Sequence, residues 1–200
     1  MEVKKNVYLT RKMRYDTIRS TFADLKKMMR KEWDNLKKKY VFYIFVFALV
    51  LWMVIIFSFS SQTADESANL SGEVGRKVAD MFVPGFYKWE EAKQNQFVDS
   101  IDFFVRKTAH FMEYMVMGML WFLCLQSKPN SRFTMTQNRW ISMFASAFFA
   151  MGDEFHQLFV AGRAGRWMDV GIDTAGAVTG VCLVCFGITI YKNIRKKKRD

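Results

Sequence analysis

The chain has 200 residues, of which 51% are hydrophobic and 24% charged, and its formal net charge is +11. This length suits a single domain. The positive charge lies at the two ends, because residues 1–40 hold 13 Lys or Arg against 5 Asp or Glu, residues 192–200 hold 6 against 1, and the middle holds 11 against 13. A nucleic-acid-binding domain would carry this charge on its folded body. Basic flanks around an apolar middle instead indicate the surface of a membrane with anionic lipids.

The first predicted element is an amphipathic helix within the basic segment 1–40. Apolar residues recur there at spacings of three and four, with Lys and Arg between them: Ile18, Phe22, Leu25, Met29, Leu36 and Tyr40. This pattern is typical of a helix that lies along a membrane surface with its basic face toward the headgroups. A solvated cytoplasmic helix and a coiled-coil seam remain the alternatives.

Four apolar segments follow that are long enough to cross a bilayer, whose hydrocarbon core of about 30 Å needs about 20 helical residues. They are residues 41–59, 107–125, 140–160 and 170–191. The first begins too late for a signal peptide, so we expect it to remain as a span. Because open sheet edges cannot face lipid, the expected fold is all-α. We expect a polytopic membrane protein with a bundle of four transmembrane helices over 41–191, preceded by the amphipathic helix.

The segment between the first two spans, residues 60–105, is expected to be partly helical. Thr63-Ala-Asp-Glu66 has the form of a capping box, which starts a helix, and Pro84-Gly85 would end that helix. Residues 89–105 have a helical pattern and are expected to run directly into the second span.

The distribution of Lys and Arg predicts the orientation of the bundle. The segment 1–40, the loop 126–139 and the tail 192–200 are basic, whereas residues 60–105 hold four bases against eight acids. Cytoplasmic loops are enriched in Lys and Arg. We therefore expect a multi-pass protein of the cell membrane with both termini in the cytoplasm and residues 60–105 outside.

The three cysteines are Cys124, Cys182 and Cys185, and all of them lie in apolar runs. Cysteine in such surroundings behaves as a small hydrophobic residue. The Cys182-x-x-Cys185 spacing also occurs in redox and metal sites, but the surrounding Val, Leu and Phe favour a packing role.

Polar residues within the predicted spans are the most informative feature of the sequence. At 1.5 Å of rise per residue, they fall in the outer third of the bilayer, at the level of the polar end of the first span, Ser58–Gln62. The cluster comprises Lys107, His110 and Glu113 of the second span, Asp153, Glu154 and Gln157 of the third, and Asp169 and Asp173 of the fourth. A charge near a helix centre costs roughly 2.5–3.5 kcal/mol on insertion scales. The cluster is therefore either an internal ion-pair network or a pocket, and we favour a pocket because so small a bundle could pack on Gly and Leu alone.

Two glycine-containing segments lie beside this cluster. Gly176 and Gly180 have the spacing that lets the backbone of another helix approach closely. The turn Ala161-Gly-Arg-Ala-Gly-Arg166 joins the third and fourth spans. Its backbone N–H groups, together with Arg163 and Arg166, could hold an anionic group.

The runs Arg106-Lys-Thr-Ala-His-Phe-Met-Glu-Tyr114 and Asp153-Glu-Phe-His-Gln157, followed by Arg163, Asp169 and Gly176, resemble the VanZ-like family. The end of the first span, Phe-Ser-Phe-Ser-Ser-Gln62, is similar too. The resemblance covers roughly residues 40–190, with a longer outer loop than is usual. It implies a bacterial cell-membrane protein with a role in reduced susceptibility to teicoplanin and related glycopeptide antibiotics.

The first functional hypothesis is a binding protein without turnover, whose pocket holds an anionic component of the cell envelope such as the phosphate of a lipid-linked cell-wall precursor. The expected partners are membrane lipids and this anionic ligand, and binding of nucleic acid is not expected. The candidate ligand-binding residues are Lys107, Gln157, Arg163, Arg166, Asp169 and Asp173.

The second hypothesis is a membrane-embedded hydrolase or transferase that acts on a lipid-linked or cell-wall substrate. His110 would be its general acid or base, oriented by Glu113. Asp153 and Glu154 would be partner carboxylates, or ligands of a divalent ion such as Mg²⁺ or Mn²⁺ that activates water. The sequence identifies no cofactor. A channel or transporter is disfavoured, because the polar residues stop at one depth and no inverted repeat is present.

Overall fold

A computed structural model describes residues 2–198, with side chains from residue 19 onward except residue 22. Within residues 2–198, five α-helices and one short 3-10 helix follow one another. They are α1 (Glu2–Ser60), α2 (Ala64–Phe82), the 3-10 turn Phe86–Lys88, α3 (Glu91–Ser127), α4 (Met135–Gln157) and α5 (Trp167–Lys197). No strand occurs in residues 2–198, so the all-α expectation is confirmed for that range. The side chains of Ile18 and Phe22, and residues 199–200 of the basic tail, lie outside the described part.

Among the residues with described side chains, three segments are long and apolar enough to cross a membrane: Arg19–Ser60, Glu91–Ser127 and Trp167–Lys197. They contain the first, second and fourth predicted spans. α4 covers most of the third, but its apolar stretch is bounded by Asn138-Arg139 at one end and Asp153-Glu154 at the other. The third predicted span is therefore helical, and its crossing of the membrane stays a prediction.

α1 is one continuous helix of 59 residues, so the basic segment and the first span form a single element. Residues 23–40 are exposed on every face of the helix. Leu25, Met29, Trp33 and Leu36 are each exposed by between 47% and 61%. The predicted helical structure of this segment is thus present, whereas its placement along a membrane surface stays a prediction.

α2 begins with the predicted capping box. Thr63 Oγ1 accepts a hydrogen bond from the backbone N–H of Glu66 at 3.3 Å, and the Glu66 carboxylate accepts one from the backbone N–H of Thr63 at 2.8 Å. The hydrogen bonds donated by the Thr63 backbone and side chain lower the pKa of the Glu66 carboxyl. The helix ends at Phe82, just before Pro84-Gly85 as predicted, and Gly85 has a φ of 75°.

α3 is the centre of the bundle, since it contacts α1, α2, α4 and, most extensively, α5. Its 37 residues give a length of about 55 Å, so it extends well beyond one hydrocarbon core. The expectation that the second helical segment of the loop would run into the second span is confirmed.

The contact between α3 and α5 depends on glycine residues, which have no side chain to keep the two backbones apart. A Cβ atom at Gly176 would lie 2.2 Å from the carbonyl oxygen of Phe111, and one at Gly180 would lie 2.0 Å from that of Met115. A Cβ atom at Gly118 of α3 would likewise lie 2.2 Å from the carbonyl oxygen of Ala177. The Gly176-x-x-x-Gly180 spacing therefore brings two helix backbones into direct contact, as the sequence predicted.

α4 turns its polar face toward the bundle and its aromatic face outward. Its buried residues are Asn138, Ser142, Ser146, Ala150, Asp153, Glu154 and Gln157. On the other face, Phe144, Phe148 and Phe155 are between 64% and 75% exposed. A soluble helix would have the opposite arrangement, whereas polar residues of a membrane helix face the bundle interior.

Candidate functional site

Charged residues of α3 and α5 meet at one end of the bundle. The Lys107 ammonium forms an ion pair with the Asp169 carboxylate, and both side chains are largely buried. About one turn further along α3, Nδ1 of His110 lies 3.9 Å from Oε2 of Glu113. The close α3–α5 contact described above positions these residues, because it fixes the register between the two helices.

The two adjacent carboxylates of α4 have different partners. Oε2 of Glu154 accepts a hydrogen bond from the backbone N–H of Arg166 at 2.8 Å. Oδ2 of Asp153 accepts one from Nε2 of Gln157, one turn later, at 3.5 Å. The sequence predicted that backbone N–H groups of this turn could bind an external anion. The N–H of Arg166 instead donates to Glu154, a carboxylate of the protein itself.

Several buried polar atoms in this region have no hydrogen-bond partner among the described residues. Asp173 is fully buried, and both of its carboxylate oxygens lack a partner. The others are Oγ of Ser60, Nδ1 of His110, the hydroxyl of Tyr114, Oδ1 of Asp153 and Oε1 of Glu154. Because buried polar groups are normally paired, these atoms are candidates for contacts with a ligand or with ordered water. The hydroxyl groups of Ser60 and Tyr114 lie near the Asp153 carboxylate.

Arg163 lies in the turn between α4 and α5 and contacts the end of α1. Its Nε donates to the carbonyl oxygen of Gln62 at 3.1 Å, and a terminal guanidinium nitrogen donates to that of Phe59 at 3.4 Å. The last carbonyl groups of a helix lack partners within the helix, so Arg163 caps α1. Burial, and then the charge of Arg106, lower the pKa of the Arg163 guanidinium.

A polar cavity of about 160 Å³ lies where α3, the α4–α5 turn and the start of α5 meet. Its charged and polar lining consists of Arg106, Lys107, His110, Gln157, Arg163, Arg166 and Asp169. Asp169 is the only carboxylate among these described residues, and it is paired with Lys107. The remaining charge at the cavity is positive, which favours an anionic ligand.

The cavity gathers six of the ten residues that the sequence singled out: Lys107, His110, Gln157, Arg163, Arg166 and Asp169. The other four, Glu113, Asp153, Glu154 and Asp173, do not line it. No group of three or more His, Cys, Asp or Glu in the described part of the chain could hold a metal ion.

Arg106 is a cavity residue that the sequence hypothesis missed. It forms an ion pair of 2.6 Å with Asp102, one turn earlier on α3, and lines the cavity beside His110. A signal was present, since residues 102, 106 and 110 are four apart and so share one helix face.

Comparison with known proteins identifies a family. A family model described as VanZ/LLP1 matches residues 45–190, a range that contains every cavity residue. No curated protein and no solved structure matches the chain. Since the family model covers most of the 200 residues and the helices are apolar enough to span a bilayer, the chain is a membrane protein of the VanZ/LLP1 family.

Proposed function

We propose that the protein binds an anionic component of the bacterial cell envelope, such as a lipid-linked cell-wall precursor, and that it lowers susceptibility to teicoplanin and related glycopeptides. One observation carries this proposal. Four cationic side chains line the polar cavity; Lys107 is paired with Asp169 and Arg106 with Asp102, which leaves Arg163 and Arg166 without a carboxylate in a described ion pair. A phosphate there would reduce the repulsion between Arg106 and Arg163, and each hydrogen bond to a charged group contributes about 1.5–3 kcal/mol.

The proposal includes the orientation of the cavity, which would open on the outer side of a four-span bundle. The outward aromatic face of α4 supports its crossing of the membrane as the third span. An even number of spans leaves both ends on one side, and the basic segments 1–40, 126–139 and 192–200 assign that side to the cytoplasm.

Cysteine labelling tests this topology. In a background with the three native cysteines replaced by alanine, Asn69→Cys in α2 should react with a membrane-impermeant thiol reagent on intact cells. Ser131→Cys, in the loop between α3 and α4, should react only after the cells are permeabilised. Equal labelling of both positions on intact cells, or the reverse pattern, would overturn the orientation.

Arg166→Gln is the most direct test of the cavity. The Arg166 side chain is exposed and lines the cavity, whereas Arg163 and Lys107 also have structural partners. In a glycopeptide-susceptible Gram-positive host, the unmodified chain should raise resistance to teicoplanin, and Arg166→Gln and His110→Ala should lose most of this effect at normal membrane abundance. Arg132→Gln removes an exposed arginine from the other end of the bundle and should leave resistance unchanged.

The readout is the inhibitory concentration of teicoplanin divided by the amount of membrane protein. Parallel loss of abundance and resistance in every cavity variant would identify the cluster as a network that only stabilises the fold. An unmodified chain that produces no shift would contradict the glycopeptide role, while anion binding could still be measured on the purified protein.

A specific observation also favours an enzyme as the second candidate. His110 lines the cavity, its Nδ1 has no hydrogen-bond partner among the described residues, and Glu113 lies 3.9 Å away. This pair could transfer a proton in a hydrolase or transferase reaction. The test measures product formation from a lipid-linked substrate. If His110→Gln abolishes product formation without weakening substrate binding, the enzyme is favoured, since a binding protein has no turnover to lose.

A further inference from the structure

A second cavity, an open groove of about 620 Å³, runs between α2 and α3. The α2 wall carries apolar residues at four-residue spacing: Leu70, Val74, Val78 and Phe82. The facing wall on α3 includes Phe97, Ile101 and Phe104. The four α2 residues are between 40% and 73% exposed. An exposed apolar stripe of this kind marks a place where something apolar binds.

The groove is a fixed feature of the fold, because separate contacts hold α2 against α3. The Ser71 hydroxyl donates a hydrogen bond to the Asp102 carboxylate. A Cβ atom at Gly75 would lie 3.3 Å from the Val98 side chain, so the two helices are close at that point. Ser71, Gly75 and Ala79 form the buried contact face of α2, and the apolar stripe runs along the edge of that contact.

One end of the groove joins the polar cavity. Arg106, His110 and Arg163 line both cavities. Glu113 is the carboxylate that lines the groove, and Arg106 also pairs with Asp102, so Arg163 is the cation at this end that has no carboxylate in a described ion pair. From Phe97 to Glu113 the groove follows about 24 Å of α3. The two cavities together form a long apolar groove that ends at cationic side chains.

We propose that the groove holds the hydrocarbon chain of one lipid molecule whose phosphate headgroup lies at Arg106 and Arg163. This inference rests on the proposed function and adds that the anionic ligand is itself a lipid. Arginine guanidinium groups bind phosphate oxygens through paired hydrogen bonds, and each methylene group buried along the groove strengthens binding roughly fourfold.

The dimensions and charge of the groove favour a lipid over a second copy of the chain. Its volume of about 620 Å³ lies within the range of small-molecule sites, roughly 300–1,000 Å³. A second copy would bring the same apolar stripe and the same cationic end, so Arg106 and Arg163 would face like charges instead of an anion. A lipid satisfies the apolar walls and the cationic end with one molecule.

The test compares three probes on the purified full chain in a neutral detergent, with binding followed by native mass spectrometry and titration. Phosphatidylglycerol carries both a phosphate and chains, diacylglycerol carries only the chains, and glycerol 3-phosphate carries only the phosphate. Phosphatidylglycerol should bind at least tenfold more tightly than either of the others.

Val74→Trp should fill the groove and weaken phosphatidylglycerol binding at least tenfold, while binding of glycerol 3-phosphate stays the same. Met81→Trp is the matched control, because Met81 is on the same helix, is 76% exposed and does not line the groove. This control should bind phosphatidylglycerol as the unmodified chain does. If Val74→Trp does not fold, judged by its melting temperature, Val78→Phe takes its place.

The outcomes separate the two proposals. Phosphatidylglycerol binding that groove filling does not change, or glycerol 3-phosphate that binds as tightly as the lipid, overturns the lipid groove but leaves the anion cavity. A dimer that only Val74→Trp dissociates assigns the groove to a second copy and also overturns the lipid groove. Failure of every probe to bind overturns both proposals.

Discussion

Gly180→Ala is expected to lower the free energy of unfolding by about 1–3 kcal/mol, the usual effect of overpacking a close contact. The new Cβ atom would lie 2.0 Å from the carbonyl oxygen of Met115. Since that oxygen belongs to the backbone of α3, only a separation of α3 and α5 can relieve the clash. Thermal unfolding of the purified protein in detergent, followed by the loss of monodisperse material, measures the effect.

Gly187 provides a matched control on the same helix, because a Cβ atom there would meet nothing within 4 Å. Gly187→Ala should therefore keep or raise the melting temperature, since alanine is favoured over glycine in a helix interior by up to about 1 kcal/mol. Equal melting temperatures for Gly180→Ala and Gly187→Ala would contradict the direct backbone contact between α3 and α5.

Features of the fold that depend on neighbouring residues could be predicted from the sequence. The capping box at Thr63, the end of α2 before Pro84-Gly85 and the close approach at Gly176 and Gly180 all follow from local geometry. The continuity of the basic segment with the first span could not be predicted in the same way. Apolar composition marks where α1 can enter lipid, near Val41, but the backbone hydrogen bonds of the basic segment continue into the span without a break.

The pairing of charges at the site could not be predicted, because it depends on distances between helices. Helical spacing placed Lys107, His110 and Asp169 at one level, but it did not specify that Lys107 would pair with Asp169. Arg163 was proposed as a ligand-binding residue, whereas the structure also gives it the role of capping α1. The groove could not be predicted either, because it depends on how α2 is offset against α3. Hydrophobic periodicity within one helix does not specify that offset.

Lys107→Met is expected to destabilise the protein by about 3–5 kcal/mol, because it leaves the Asp169 carboxylate buried without its cation. Only 18% of the Lys107 side chain and 10% of the Asp169 side chain are exposed, and the pair joins α3 to α5. An exposed ion pair would contribute no more than about 1 kcal/mol. The size of the loss, measured by unfolding of the purified protein, thus reports whether the pair is shielded from water.

The double variant Lys107→Met/Asp169→Leu supplies the control, since it removes both charges and leaves apolar side chains in their place. Replacement of a whole buried ion pair is often neutral or stabilising, so the double variant should unfold at a higher temperature than Lys107→Met alone. The two single variants and the double variant form a cycle that gives the coupling energy. Additive effects would show that Lys107 and Asp169 do not interact in the folded protein, and the cation would then be free for a ligand. A large coupling would instead mean that Asp169 retains Lys107, so that Arg163 and Arg166 are the cavity cations left for an anionic ligand.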